Sequence, residues 1–217
     1  MKGFKHALEA HALRNHLAVA VAAALLASPV AAQAPTAPSA AAAKAVVAGT
    51  YKADPHHTQV VWSVDHLGFS RLYGMVGQIT GQLTLDPAKP QTATLAVDIP
   101  LSGLSVTSSR FATHLASPDL FDTAKFPTAR FVSRTVTVNG QSATITGDLT
   151  LHGVTKRVVL DARFYGAGVN AMSKAQTVGF SATAKLKRSD FGLGYAAPAV
   201  SDEVSLEIAA AFEKVPG

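Results

Sequence analysis

The side chains best suited to metal or acid–base chemistry are His56, His57, His66, His114 and His152. His56 and His57 are adjacent, and neighbours on a strand point to opposite faces, so the two do not readily share a metal ion. His57 and His66 also differ in strand parity. A three-histidine zinc site would therefore need a local distortion that the sequence does not announce. Nucleophilic catalysis finds no G-x-S-x-G elbow, and no Gly-rich loop opens a helix to cradle phosphate. "SDFGL", from Ser189 to Leu193, matches the kinase triplet by chance, because nothing else of that signature is present. No pair of carboxylates stands out for glycosidase work. The chain has no cysteine, which excludes thiolate metal sites, thiol redox chemistry and cysteine nucleophiles. The residue types favour a binder over an enzyme. Histidine-dependent metal or haem binding through His56, His57, His66 or His114 is the alternative.

The elements that must position these residues are strands. From Tyr51 onward apolar residues recur with period two. "HTQVVWSVDH" puts Val60, Trp62, Val64 and His66 on one face. "RLYGMVGQITGQLTLD" reads as one strand with Tyr73, Met75, Gly77, Ile79, Gly81, Leu83 and Leu85 inward. "TATLAVDIPL" gives Leu95, Val97, Ile99 and Leu101, and "SATITGDLTL" gives Ala143, Ile145, Gly147, Leu149 and Leu151. "RVVLDARF", "VGFSATAKL" and "VSLEIAAAF" alternate in the same way. "TARFVSRTVTV" is less regular, and a bulge is expected there. Short connections such as "NGQ" and "HGVT" favour antiparallel neighbours. In "HGVT", His152 and Gly153 are expected to form a turn outside the lumen. The one long break, Leu104 to Thr128, reads as a short helix capped by Thr107 or Ser108, followed by a turn. The fold class is all-β, an eight-stranded antiparallel barrel or sandwich with a short helical insertion between the early and late strands.

Residues 1–32 read as a secretory signal peptide, with a basic start, the apolar run "LAVAVAAALLA" and cleavage after Ala32. That run of Leu17 to Ala27 is shorter than the roughly 20 residues a spanning helix needs. Residues 33–48 form an Ala/Pro-rich linker, and the folded domain occupies 49–217. Export would place it in the periplasm, stabilised by its core rather than by disulfides. The net charge of +5 is scattered, without a basic stripe, and does not argue for nucleic acid.

An eight-stranded barrel is either filled by side chains or just wide enough for one slender ligand. Inward positions here include the small residues Gly77, Gly81, Ala143, Gly147, Ala162, Ala182, Ala184 and Ala210. They favour an open lumen and a long, thin, apolar ligand.

Five ordered motifs then resemble the YceI-like family. "ADPHHTQVVWSVDHLG" is similar to its D-P-x-H-S lead and H-L-G, with Thr58 in place of serine. "LYGMVGQITGQLTLD" is similar to its G-x-F-x-x-x-x-G-x-L segment, with Val76 where an aromatic is usual. "HLASPDLFDTAKFPTARFVS" resembles its H-L-x-S-x-x-F-F-D-x-x-x-x-P segment, with Leu120 replacing the first Phe. "GDLTLHGVTKRVVL" resembles its G-x-L-T-x-H-G-V-T-K signature, and "SDFGL" followed by "VSDEVSLEI" resembles its C-terminal end. In "SSRFATHL", Phe111 and Ala112 displace the acid of the family's Arg-Asp pair.

The resemblance implies a lipocalin-like barrel, periplasmic location and binding of a polyisoprenoid, either a prenyl quinone such as ubiquinone or a prenyl pyrophosphate. It implies no catalysis and no cofactor besides that lipid. With such a ligand, Trp62, Val64, Tyr73, Met75, Ile79, Leu95, Val97, Ile99, Ile145, Leu149, Phe164, Phe180 and Leu186 are expected to line the tunnel. Phe111, Leu115, Phe121 and Phe126 would sit in the insertion at one end, with His66, Arg110 and His114 near a head group. The expected partners are the lipid, transient contacts with a membrane surface or membrane lipid enzymes, and a second copy of the chain.

Overall fold

The computed structural model describes residues 45–216. The expected signal peptide and residues 33–44 of the expected linker lie outside the described residues. Among the described residues, no helix is long and apolar enough to cross a membrane.

The strands are β1 (Gly49–Ala53), β2 (Gln59–His66), β3 (Ser70–Val76), β4 (Thr80–Leu85), β5 (Thr94–Pro100), β6 (Leu104–Ser105), β7 (Thr128–Asn139), β8 (Ser142–Leu151), β9 (Val154–Val169), β10 (Gln176–Lys187) and β11 (Glu203–Lys214). Among the described residues one α-helix, α1 (Ser109–Ala116), precedes β7. All pairings are antiparallel, and β1–β4–β5–β7–β8–β9–β10–β11 closes back on β1. β2 continues the stave begun by β1, since both pair with β11, at its opposite ends. β3 and β4 likewise share a stave beside β2 and β1. The architecture is the expected closed eight-stave barrel, with its early staves broken in two.

Each break has a local cause. Between β1 and β2, Asp54 turns the chain: one carboxylate oxygen accepts the His56 N–H at 2.9 Å, and the other lies 2.6 Å from Nδ1 of His57. Thr58 then repairs the ladder with its side chain. Its hydroxyl donates to the Ala211 carbonyl at 3.0 Å and accepts the Ala211 N–H at 3.1 Å. Between β3 and β4 the backbone of Gln78 is left-handed, with φ 57°. That single residue reverses which parity faces inward. On β3 the inward residues are the even ones, Leu72, Gly74 and Val76, and on β4 the odd ones. The expectation of one uninterrupted strand here is therefore corrected, and Met75 lies on the outer face.

The expected bulge in β7 falls at Ser133–Thr135, where the register against β8 shifts. Leu151-His152-Gly153-Val154 is a two-residue hairpin turn, with Leu151 opposite Val154 and positive φ at both central residues (52° and 75°). β5 pairs with β7, whereas β6 pairs only with β3. The insertion carrying α1 lies between β6 and β7 in the chain and lines the lumen on that side. Ser108 caps α1, its Oγ accepting the Phe111 N–H at 3.3 Å.

Three apolar clusters make up the described interior, the smallest of them Val60, Val76 and Ile79. Phe131, Leu149, Val158, Leu160, Phe191 and Leu193 pack toward the end bearing the helix. Tyr51, Leu83, Val178 and Phe212 pack toward the other, joined by Phe180 and by Val46, which falls in the expected linker. Val46 and its neighbours are thus docked: Tyr51 donates to the Val47 carbonyl, and the Gln176 amide donates to that of Ala45.

Candidate functional site: an apolar lumen

A cavity of about 880 Å3 occupies the helix-bearing end of the barrel. β2 contributes Val60, Trp62 and Val64, and β5 contributes Leu95, Val97 and Ile99. Opposite them stand Leu149 and Leu151, Val158 and Leu160, Leu186, and Leu206 and Ile208. Alternation explains this wall, because each strand turns one apolar face inward. The insertion adds Phe111, Leu115, Leu120 and Phe121. The Phe111 ring meets Trp62 edge-on at 6.5 Å. No carboxylate lines the cavity among the described residues.

Below the cavity an aromatic stack narrows the barrel. Ala210 lines the cavity and is the register partner of Phe180. Phe164, Phe180 and Phe212 form an edge-to-face stack, with centroids 5.9 and 6.3 Å apart. A row of alanines, Ala143, Ala162 and Ala182, crosses β8 to β10 at this level. The lumen thus has an aromatic floor.

Polar groups gather toward the other end. His66, Arg71, Tyr73, Thr107, Ser108, His114 and Tyr195 border the cavity there, and the His114 ring meets the Tyr195 ring at 5.1 Å. Arg188 also lines it, 7% exposed. Its guanidinium donates to the carbonyls of Ser201 at 2.9 Å, Tyr195 at 2.7 Å and Val200 at 2.8 Å, and to that of Leu193. Burial lowers its pKa, against the pull of the Asp202 charge. The side chain ties the 193–201 segment over the barrel end.

Of the residues expected to line the tunnel, Trp62, Val64, Tyr73, Ile79, Leu95, Val97, Ile99, Phe111, Leu115, Phe121, Leu149 and Leu186 border the cavity. Met75 does not, because the reversal at Gln78 turns it outward. Tyr73 is turned outward too, 61% exposed, but borders the rim. Ile145 packs into the helix-end core, while Phe164 and Phe180 belong to the floor stack. Phe126 covers the β8–β9 turn, its ring 4.6 Å from that of His152. Of the head-group candidates, His66 and His114 border the cavity and Arg110 lies exposed on α1.

The small inward residues behave differently from expectation. Only Ala210 of that set borders the cavity. The space beside Gly147 is filled by Phe131, whose ring would lie 2.3 Å from a β-carbon there. Leu72, Val76, Phe131, Arg188 and Tyr195 also border the cavity, and none of them was expected to line it.

His152 is held at the turn, its Nδ1 3.1 Å from the Phe191 carbonyl. His56 and His57 sit at the break between β1 and β2, away from the lining. Among the described residues, no three His, Asp or Glu side chains are grouped to hold a metal ion.

Comparison with known proteins agrees with this architecture. The model of the YceI-like domain matches residues 51–212. The chain belongs to the YceI-like family. A UPF0312 protein of Pseudomonas putida (strain W619) is 39% identical over 150 residues, covering 68% of this chain and 78% of that protein. One from Pseudomonas fluorescens (strain SBW25) is 38% identical over 168 residues, 75% of this chain and 87% of that one. Among solved structures, the Campylobacter jejuni YceI protein superposes with a TM-score of 0.63 at 27% identity, covering 70% of this chain and 90% of that one. A polyisoprenoid binding domain from Saccharophagus degradans, implicated in plant cell wall breakdown, shares the fold at a TM-score of 0.57 and 13% identity, over 76% of this chain and 98% of that one.

Proposed function

We propose that this protein binds and carries a polyisoprenoid lipid, a prenyl quinone or prenyl pyrophosphate, with the chain in the lumen and the head group at the rim. The observation that carries this reading is the distribution of polarity: apolar walls, an aromatic floor, and His66, Arg71, His114 and Tyr195 near one end. An amphipathic molecule with a long, thin tail matches that gradient. Burying each methylene favours binding by up to about 0.8 kcal/mol. Ordering the flexible tail offsets a large part of that sum. A lumen without carboxylates suits head groups that accept hydrogen bonds or carry negative charge. The fold shared with the Saccharophagus degradans domain supports the same ligand class. The signal-like residues 1–32 support export to the periplasm, for which an intact mass starting at Gln33 is the check.

Native mass spectrometry of the purified protein tests the ligand directly, with a co-purified lipid as the expected result. Trp62 is the only tryptophan in the chain and lines the cavity, so added prenyl quinone should quench its fluorescence. Protein that is repeatedly ligand-free and takes up neither prenyl quinone nor prenyl pyrophosphate would overturn the proposal.

A further inference from the structure

We propose that the rim of the lumen is a bilayer-docking face, on which Leu67, Phe69 and Tyr195 enter the head-group boundary of an anionic membrane while Arg71 and Arg110 meet lipid phosphates. This rests on the lipid-carrier reading and adds where the cargo is exchanged.

The β2–β3 turn carries large apolar groups into solvent. Phe69 is 88% exposed and Leu67 48%, while Tyr73 and Tyr195 at the cavity rim are 61% and 53%. The tip is nevertheless well held. The Leu67 N–H donates to the Ala199 carbonyl at 2.8 Å, that of Phe69 to the His66 carbonyl at 3.1 Å, and that of Gly68 to the Asp65 carboxylate at 2.9 Å. Leu67 adopts a left-handed backbone (φ 59°), a conformation that asparagine or glycine takes at less cost. A leucine there, half exposed, has little core packing to offset the strain. A surface that receives it does.

The surface is lipid because of what surrounds the tip. Arg71 borders the same cavity mouth and has no hydrogen bond or ion pair among the described residues. Arg110 is equally unpaired and lies four residues from His114, on the same face of α1. The acid opposite Arg71 is Asp65, whose carboxylate accepts the Gly68 N–H. Arg71 at the cavity mouth beside these aromatic and aliphatic side chains, with Arg110 one helical turn from the cavity-lining His114, makes an interfacial anchor. Its continuity with the rim lets a prenyl chain pass into the lumen without crossing water.

Co-sedimentation with vesicles of phosphatidylcholine, with and without phosphatidylglycerol, tests this. The protein should bind the mixed vesicles, more weakly at high salt and more weakly to phosphatidylcholine alone. Leu67→Asn with Phe69→Ser should reduce binding about tenfold or more, since both changes remove apolar surface that the membrane would bury. The same variant should unfold at no lower temperature, because asparagine relieves the strain at position 67. Quinone uptake from detergent, measured without vesicles, should be unchanged. Uptake with no vesicle binding by the parent overturns docking and leaves the carrier reading standing. Vesicle binding with no uptake of either prenyl lipid overturns the carrier reading instead. A variant that sediments like the parent, or a dimer by light scattering that the two changes dissolve, also overturns docking.

Discussion

Gly74 and Trp62 are register partners on β3 and β2, and the indole lies so close over the glycine that a β-carbon at position 74 would stand 2.1 Å from Cζ2. The glycine sets the position of the tryptophan, and the tryptophan shapes one wall of the lumen. Among the described residues the buried indole Nε1 has no hydrogen-bond partner, and packing against Gly74 and Phe111 positions the ring. Gly74→Ala must displace the indole. The expected outcome is a shifted Trp62 emission, a stability loss of about 1–3 kcal/mol from overpacking, and weaker quenching by prenyl quinone. An emission spectrum and quinone titration like those of the parent would refute the contact.

Thr58 replaces a missing stretch of backbone ladder, its hydroxyl satisfying both the N–H and the carbonyl of Ala211. Thr58→Val keeps the shape and removes both bonds, leaving two polar groups unpaired beside a side chain that is 4% exposed. The expected loss is about 2 kcal/mol or more in denaturant unfolding. Thr58→Ser keeps the hydroxyl and should recover most of it. This role accounts for a hydroxyl residue after the D-P-x-H lead, where a sequence reading sees only a turn.

The sequence made the faces of most strands legible, because alternation is a local property. It misassigned Tyr73 and Met75 because one left-handed residue, Gln78, reverses parity without interrupting the apolar pattern. Gly77 and Gly81 flank that residue and were the available hint of a break. Arg188 was within reach: it continues the even, inward parity of Leu186 on β10, and a charge on an inward face calls for partners. Those partners are carbonyls of residues 193–201, which periodicity does not reveal. Phe126 and Gly147 failed as lumen residues for a tertiary reason. Each makes one specific contact, Phe126 with His152 and Gly147 with Phe131, that spacing alone does not encode.

Acid should weaken the barrel in a defined window. Burial works to raise the Asp54 carboxyl, but the hydrogen bonds from His57 and from the His56 N–H outweigh it and hold the group below its ordinary value. The Ser189 hydroxyl and N–H do the same for Asp202. A lowered folded-state pKa gives stability that is present above the unfolded value, here 3.8, and is lost as pH falls through the folded one. Unfolding free energy should therefore be level near neutrality and decline below about pH 4. In Asp54→Asn with Asp202→Asn that decline should be shallower, although the variant starts less stable. Parallel acid profiles for variant and parent would exclude these two groups as its cause.

The floor decides how long a chain the lumen accepts. Phe180 stands between Phe164 and Phe212 in the edge-to-face stack and is the register partner of Ala210 on the cavity wall. Removing its ring joins the cavity to the space now filled by the stack. Phe180 is partly buried, so Phe180→Ala should cost less than the roughly 3–5 kcal/mol usual for a fully buried phenylalanine. Phe180→Leu is a milder change that leaves less void and keeps the barrel folded. In either variant, competition between prenyl quinones of increasing tail length should move the preference toward the longer tail. Each additional buried methylene would contribute up to about 0.8 kcal/mol only where the floor has receded. An unchanged length preference in a folded Phe180→Leu protein would place the end of the ligand above the stack and remove Phe180 from the determination of chain length.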